Sequence, residues 1–276
     1  MKNVNDRIQI VVATHKKYRM PDDPMYLPLH VGAEGKTDGQ GKPLDLGYMK
    51  DNIGENISKK NSGYCELTGL YWAWKNLKSD YIGLVHYRRH FTDGIKRKDR
   101  FDSILTYQQI EPDLGKYRVF VPQKRHYYIE TLASHYAHTH YIEQLDKTRE
   151  IISEKYPDYV ETFDQVIQQR SGYMFNMMIM RKEDLDRYCT WLFDILFELE
   201  KQIDSSQLSV FQQRYPGRIS EIIFNVWLQY QVKTKQIDQT EIKELPYANM
   251  EKTNWFKKGG AFLKAKFFHK RYEGSF

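Results

Sequence analysis

The densest run of reactive side chains follows a short apolar stretch: His86, Tyr87, Arg88 and Arg89 come directly after Tyr81 to Val85 (YIGLV). Arginines in that position suit an anionic ligand, because the planar guanidinium donates paired hydrogen bonds to phosphate oxygens. A solvated strand end or an internal salt bridge would use the same residues. Glu221 offers a carboxylate for proton transfer, with Arg218 three residues earlier and Pro216-Gly217 just before. Near the start of a helix it could be a general base for a hydroxyl or a capping group. Asp51, Asn52, Glu55, Asn56, Asn61 and Glu66 form a second polar group suited to sugar hydroxyls, although capping and loop closure are the roles expected of Asn56 and Asn61. Asn176 stands alone in the apolar run YMFNMMIM, where a buried amide must find partners in backbone or ligand. His135, His138 and His140 suggest a metal site, but spacing of i, i+3 and i+5 does not put all three on one helix face.

The elements that would position these groups follow from hydrophobic periodicity. Ile8 to Ala13 (IQIVVA) predicts a buried first strand that empties into the polar loop Thr14, His15, Lys16, Lys17, the kind of strand end where α/β proteins bind ligands. Met20 to Lys60, rich in Pro, Gly and Asp, predicts a long ordered loop serving a site. Tyr64 to Leu77 predicts a helix, Tyr81 to Val85 a second buried strand and Val119 to Pro122 a third. Ile129 to Lys155 predicts one or two helices, and Tyr173 to Met180 a buried strand carrying Asn176. Lys182 to Gln202 is strongly amphipathic, with apolar residues at helical spacing, and Arg218 to Val232 predicts a last helix.

Composition bounds the class. The chain has 276 residues, 41% hydrophobic and 14% aromatic, enough for a substantial core and with no apolar run long enough to span a bilayer. No secretory leader pattern opens it, which predicts a cytoplasmic location. Cys65 and Cys189 are expected to be buried, reduced thiols. Lys and Arg number 42 against 36 Asp and Glu. Seven of the basic residues lie between 252 and 272 with no acid among them, so the remainder holds 35 against 36. A neutral body argues against nucleic acid as partner. In the tail, Trp255, Phe256, Phe262, Leu263, Phe267 and Phe268 alternate with those cations, which predicts interfacial binding to an anionic membrane at about 1 kcal/mol per cation. The division expected is a catalytic domain over 1–250 and a membrane-associating tail over 251–276. Phosphate loops, dinucleotide fingerprints, HExxH helices and CxxC pairs do not occur.

The segments HKKYRMP, YLPLHVGAE, DNIGENISKKNSGYCELTGLYWAWKN, YIGLVHYRRHF, FNMMIM and YCTWLFDILFELE together resemble a bacterial family long filed as a domain of unknown function (the 4422 type), found in capsular and exopolysaccharide gene clusters. The resemblance covers roughly residues 8 to 232. It implies glycosyltransferase activity, with galactofuranosyl transfer from a UDP-sugar among the activities assigned to the family. It implies an α/β, GT-A-like, Rossmann-related catalytic domain with a mixed central sheet flanked by helices. Thr14, His15, Tyr18, Val31 and Gly32 would then lie near uridine, and Asn176 would contact the donor sugar. GT-A enzymes normally end the strand after the donor-binding region in an Asp-x-Asp motif that grips diphosphate through a metal. Here His86-Tyr87-Arg88-Arg89 takes that place, so metal-independent transfer is expected, with no cofactor required. The family pattern before the last helix, Arg-x-x-x-Glu-Arg, is matched only in part, since Ile222 stands where a second Arg would be.

The expected reaction joins a UDP-sugar to a lipid-linked saccharide at the inner membrane face. Arg88 and Arg89 neutralise diphosphate, His86 or Tyr87 bonds donor oxygens, and Glu221, or failing that Glu66 or Asp51, deprotonates the acceptor. Asp51, Asn52, Glu66 and Tyr87 complete the donor contacts. A metal-dependent transferase, a phosphosugar-processing enzyme and a non-catalytic carbohydrate-binding protein are the alternatives.

Overall fold

The computed structural model describes residues 3–251, so the basic tail over 252–276 lies outside the described residues. In chain order the elements are α1 (Val4–Arg7), β1 (Ile8–Thr14), β2 (Tyr26–His30), β3 (Met49–Lys50), α2 (Asn61–Tyr64), α3 (Leu67–Asn76), β4 (Tyr81–His86), β5 (Arg89–Phe91) and α4 (Tyr107–Ile110). After these come β6 (Val119–Pro122), β7 (Arg125–His126), α5 (Leu132–Thr139), α6 (Ile142–Lys155), α7 (Val160–Ile167), β8 (Ser171–Gly172) and β9 (Met178–Arg181). The last are α8 (Lys182–Gln202), α9 (Tyr215–Lys233), β10 (Ile242–Leu245) and β11 (Tyr247–Asn249).

The central sheet runs β10-β6-β9-β4-β1-β2-β3. β1 lies parallel to both β2 and β4, while β9 enters antiparallel between β4 and β6. Because side chains alternate across a strand, Val11 and Ala13 of β1 join the helical core of α3, α8 and α9. Ile8, Ile10 and Val12 pack on the other face with Tyr26, Phe91 and Ile179. Burial on both faces explains why IQIVVAT reads as a continuous apolar run. Gly83 is needed in β4 because a Cβ there would lie 2.8 Å from the Ile179 side chain and 3.0 Å from the Met178 carbonyl oxygen. The core face of α8 (Leu185, Tyr188, Leu192, Ile195, Leu196, Leu199) is fully buried, as its spacing predicts.

Four expectations need correction. The Met20 to Lys60 stretch is not all loop, since β2 forms beside β1. Its Pro28 is tolerated because β3 pairs only with Leu29 and His30, leaving the edge beside Pro28 open. The Tyr64 to Leu77 helix is two helices, broken at Cys65, whose φ of 51° is left-handed. Asn176 is not in a strand: Phe175 (φ 76°) and Asn176 (φ 51°) make a left-handed turn ahead of β9. The last helix starts at Tyr215, so Pro216 and Gly217 sit in its first turn, where proline costs no hydrogen bond.

Buried histidines give the fold a pH dependence. Burial, reinforced by Arg88 and Arg89, pushes His86 down to about 3. Burial alone takes His90 to about 4, and burial with Arg218 takes His140 to about 4. The unfolded chain takes up these protons below about 6.5 while the native one does not. Stability is therefore whole above that pH and falls as acid approaches 4, by up to about 1.4 kcal/mol per pH unit for each histidine. Urea unfolding at stepped pH checks this, and a midpoint unchanged from neutral to mildly acid pH would contradict it.

Candidate active site

The carboxyl ends of β1, β2 and β4 lie at one edge of the sheet because the three strands are parallel. That brings Thr14 and His15, then Val31 and Gly32, then His86 to Arg89 to a common rim. Thr14 is buried, and its hydroxyl turns the loop by donating to the Lys16 carbonyl at 2.7 Å. The Val31 N–H donates to the Thr14 carbonyl at 2.9 Å, fixing the two loops together. Gly32 is left-handed (φ 66°), and a Cβ there would stand 2.5 Å from the Asn61 side chain. That amide is already committed to the Cys65 carbonyl and the Thr68 hydroxyl. Gly32→Ala is expected to cost about 2–4 kcal/mol through backbone strain and overpacking, read from urea unfolding.

His15, Tyr18 and Tyr87 form an aromatic patch at this rim, with His15 5.4 Å and Tyr18 4.9 Å from the Tyr87 ring centre. Lys16 sits 5.1 Å over the same ring. Burial and the charges of Lys16, Arg88 and Arg214 hold His15 below its ordinary range. The Arg88 backbone N–H donates to His86 Nδ1 at 3.4 Å. His86 is therefore neutral at physiological pH with its proton on Nε2, a hydrogen-bonding group and not a cation.

The two arginines diverge. Arg88 is part-exposed, and its nearest carboxylate is Glu251 at 3.9 Å. Arg89 turns inward, stacks 3.7 Å over the Phe175 ring and donates from Nε to Asn249 Oδ1 at 2.9 Å. It lies in the fields of Glu221 and Glu66. Glu221 is 7% exposed and pairs with Arg218 at 3.2 Å. Burial, with Glu66 adding to it, raises its carboxyl above the ordinary range against the opposing pull of Arg218. Asn176 ties the cluster together, donating to Glu66 Oε1 at 2.9 Å and to the Gly217 carbonyl at 3.0 Å while accepting from Ser220 at 2.8 Å. Its amide positions Glu66 against the first turn of α9.

Asp51 and Asn52 stand apart from this cluster. Asp51 is fully buried, and its carboxylate accepts from the N–H groups of Gly32 (2.8 Å) and Ala33 (3.1 Å) and from Ser58. With those donors it clasps the loop after β2 and is closed to an acceptor hydroxyl. Asn52 bonds Glu34 on the outside of that loop.

A family model described as "Domain of unknown function (DUF4422)" matches residues 9–233. The chain belongs to the DUF4422 family. This DUF4422 chain is also similar to the apo structure of the WbbM bifunctional glycosyltransferase, at 28% identity and a TM-score of 0.78, over 89% of this chain and 46% of WbbM. It thus spans about half the length of that relative. No curated protein matches the chain. The mixed sheet flanked by helices is the GT-A-like α/β fold that the sequence resemblance implies.

The DUF4422 site includes residues that sequence patterns did not single out. Arg214 donates from Nε to Cys65 Sγ at 3.1 Å, and with Arg218 it lines the start of α9. Asn249 and Glu251 reach the arginines through β11, which pairs with β5 at long sequence separation. A cation at the head of a predicted helix was the available signal for Arg214; none pointed to Asn249. The left-handed residues Cys65, Phe175 and Asn176 all adjoin Glu66, Gly217 and Glu221. Such strain concentrates where geometry serves a ligand.

Proposed function

We propose that this chain is a glycosyltransferase that moves a sugar from a UDP-sugar to a hydroxyl of a lipid-linked saccharide in surface-polysaccharide assembly, with inversion. One observation carries the reading: Arg89 and Arg218 flank the carboxylates of Glu66 and Glu221, beside the rim of parallel strand ends where Arg88 and Arg214 lie near His15. Family membership and the likeness to a bifunctional glycosyltransferase support it. In this scheme the acceptor oxygen gives its proton to Glu221 and attacks the anomeric carbon. The bond from that carbon to the UDP oxygen breaks, and its electron pair stays on the diphosphate. The arginines stabilise the departing charge, which is the main contribution a preorganised site can make. Thr14, His15, Tyr18, Val31 and Gly32 line the nucleoside end.

The place where GT-A enzymes carry Asp-x-Asp holds cationic and aromatic groups. Among the described residues no three His, Cys, Asp or Glu side chains gather as a metal donor set. The cationic and aromatic groups there support a metal-independent reading, and the scheme passes no step through a cation. No described helix is long and apolar enough to cross a membrane, and peripheral attachment at the inner face through residues 252–276 belongs to the same proposal. The test is UDP release from a panel of nucleotide sugars, UDP-galactofuranose first, with a lipid-linked acceptor and with or without EDTA. Turnover indifferent to EDTA supports the scheme. Loss of turnover in EDTA overturns its metal-free step, and ligand binding without turnover leaves a carbohydrate-binding protein.

A further inference from the structure

Glu130 lies just ahead of α5 and is 7% exposed. Its carboxylate oxygens are taken by two imidazoles, His135 Nδ1 at 2.7 Å and His138 Nδ1 at 2.6 Å. An ionised carboxylate only accepts, so each ring donates its Nδ1–H, and a neutral ring so bonded has its unshared pair on Nε2. The opposing influences agree with this assignment. Burial would raise the Glu130 carboxyl, but the hydrogen bonds from both histidines hold it below the ordinary range. Burial keeps His135 low and neutral, although Glu130 pulls the other way. Three positions apart on one helix, the rings stand side by side. Their side chains are 26% and 52% exposed, so both are within reach of solvent.

This cluster lies near Glu221 and Arg218. The Tyr127 ring lies 4.3 Å from that of His135, and the Tyr127 hydroxyl sits in the fields of Glu221 and Arg218 as well as Glu130. The antiparallel β7–β8 pair, whose strands flank α5 to α7 in sequence, is clipped to α9 through Asn225, which accepts from the Tyr173 N–H at 2.7 Å and donates to the Glu221 carbonyl at 2.8 Å. The far end of α5 is fastened to the approach of Arg214 by His140 and Gln212, 3.0 Å apart.

We propose that His135 and His138, held by Glu130, form an acceptor subsite that binds a sugar ring through two neighbouring hydroxyls. The inference rests on the glycosyltransferase reading for its place in the reaction. Two adjacent lone pairs complement a vicinal diol, each hydroxyl donating to one Nε2, while the Tyr127 ring, packed on His135 and under the Arg125 guanidinium, braces the pair. The same lone pairs repel phosphate. In this scheme diphosphate goes to Arg88 and Arg89 and neutral hydroxyls go to the imidazoles, beside Arg125. Glu130 positions the pair and does not itself touch the sugar.

The experiment uses the full chain labelled with 15N-histidine, titrated with a panel of methyl hexopyranosides and hexofuranosides, while UDP binding is followed by calorimetry on the same samples. Both histidines are expected as Nδ1–H tautomers, and at least one glycoside shifts both Nε2 signals. His138→Ala, at an exposed position, weakens that glycoside about tenfold and leaves UDP binding within about twofold. Glu130→Gln retains one acceptor oxygen and forces a proton onto one outer Nε2, a tautomer change that a merely structural carboxylate would not explain. Nε2–H tautomers in the native chain, absence of any glycoside shift, or a shift that survives His138→Ala each overturns the subsite. A chain that binds UDP but no glycoside at α5 loses the subsite and keeps the transferase. One that binds glycosides at α5 but no nucleotide sugar keeps a sugar site and loses the transferase.

Discussion

Replacing Arg88 with alanine is expected to lower sugar transfer by about 10²–10³-fold, the usual cost of removing one donor from a site that stabilises developing charge. The fold should survive. Arg88 is part-exposed, and the only carboxylate paired with it among the described residues is Glu251, at 3.9 Å, a surface contact worth little. Arg88→Lys should recover part of the rate, because an ammonium keeps the charge but loses the bidentate fork. Steady-state UDP formation and calorimetric UDP affinity, compared with the melting temperature, separate loss of function from loss of structure. Full activity in Arg88→Ala would remove the guanidinium from the mechanism. Arg89→Ala is the less clean variant, since Arg89 also holds Asn249 and packs on Phe175.

Glu221→Gln is expected to reduce transfer by about 10²–10⁴-fold, the range for a general base, while UDP affinity stays within about threefold. The amide keeps the shape and can still accept from Arg218, so the helix start should persist. The pH profile gives a second readout. Burial raises the Glu221 carboxyl, and only its ionised form accepts a proton. The acid limb of the rate should therefore lie above the ordinary carboxylate range, with activity falling as pH drops through it. That limb should vanish from the residual rate of the glutamine variant. A variant that keeps wild-type turnover would assign Glu221 to ion pairing with Arg218, and Glu66, held by Asn176, would be the next carboxylate to test.

Local pattern dictated much of this fold. β1 and β4 were legible because strands buried on both faces need unbroken apolar runs. α8 was legible because only one face is apolar. β2 was hidden by Pro28, which sheet edges tolerate but sequence rules count against strands. The rim of Thr14, His15 and His86 to Arg89 was visible because polar clusters followed readable strands. The run around Asn176 reads as a strand because its left-handed turn contains no glycine to announce it. Asn249 escaped notice because β11 meets β5 across more than a hundred residues, a pairing no local window contains. The Glu130 arrangement was half visible: the histidine spacing stood out, but the carboxylate that joins His135 and His138 lies before the helix, outside the periodic pattern.

Strand β11 brings the chain back to β5. There the Met250 N–H donates to the Arg88 carbonyl, and Arg100 donates to the carbonyls of Asn249 and Glu251. The backbone is thus moored on the very arginines proposed to hold the leaving group. Anything gripped just beyond residue 251 is tethered beside the cleft, where short spans impose effective concentrations of about millimolar. Were residues 252–276 to hold the chain on a membrane as proposed, encounter with a surface-bound substrate would become nearly intramolecular, and lengthening the chain immediately after residue 251 would dilute it without altering a contact among the arginines.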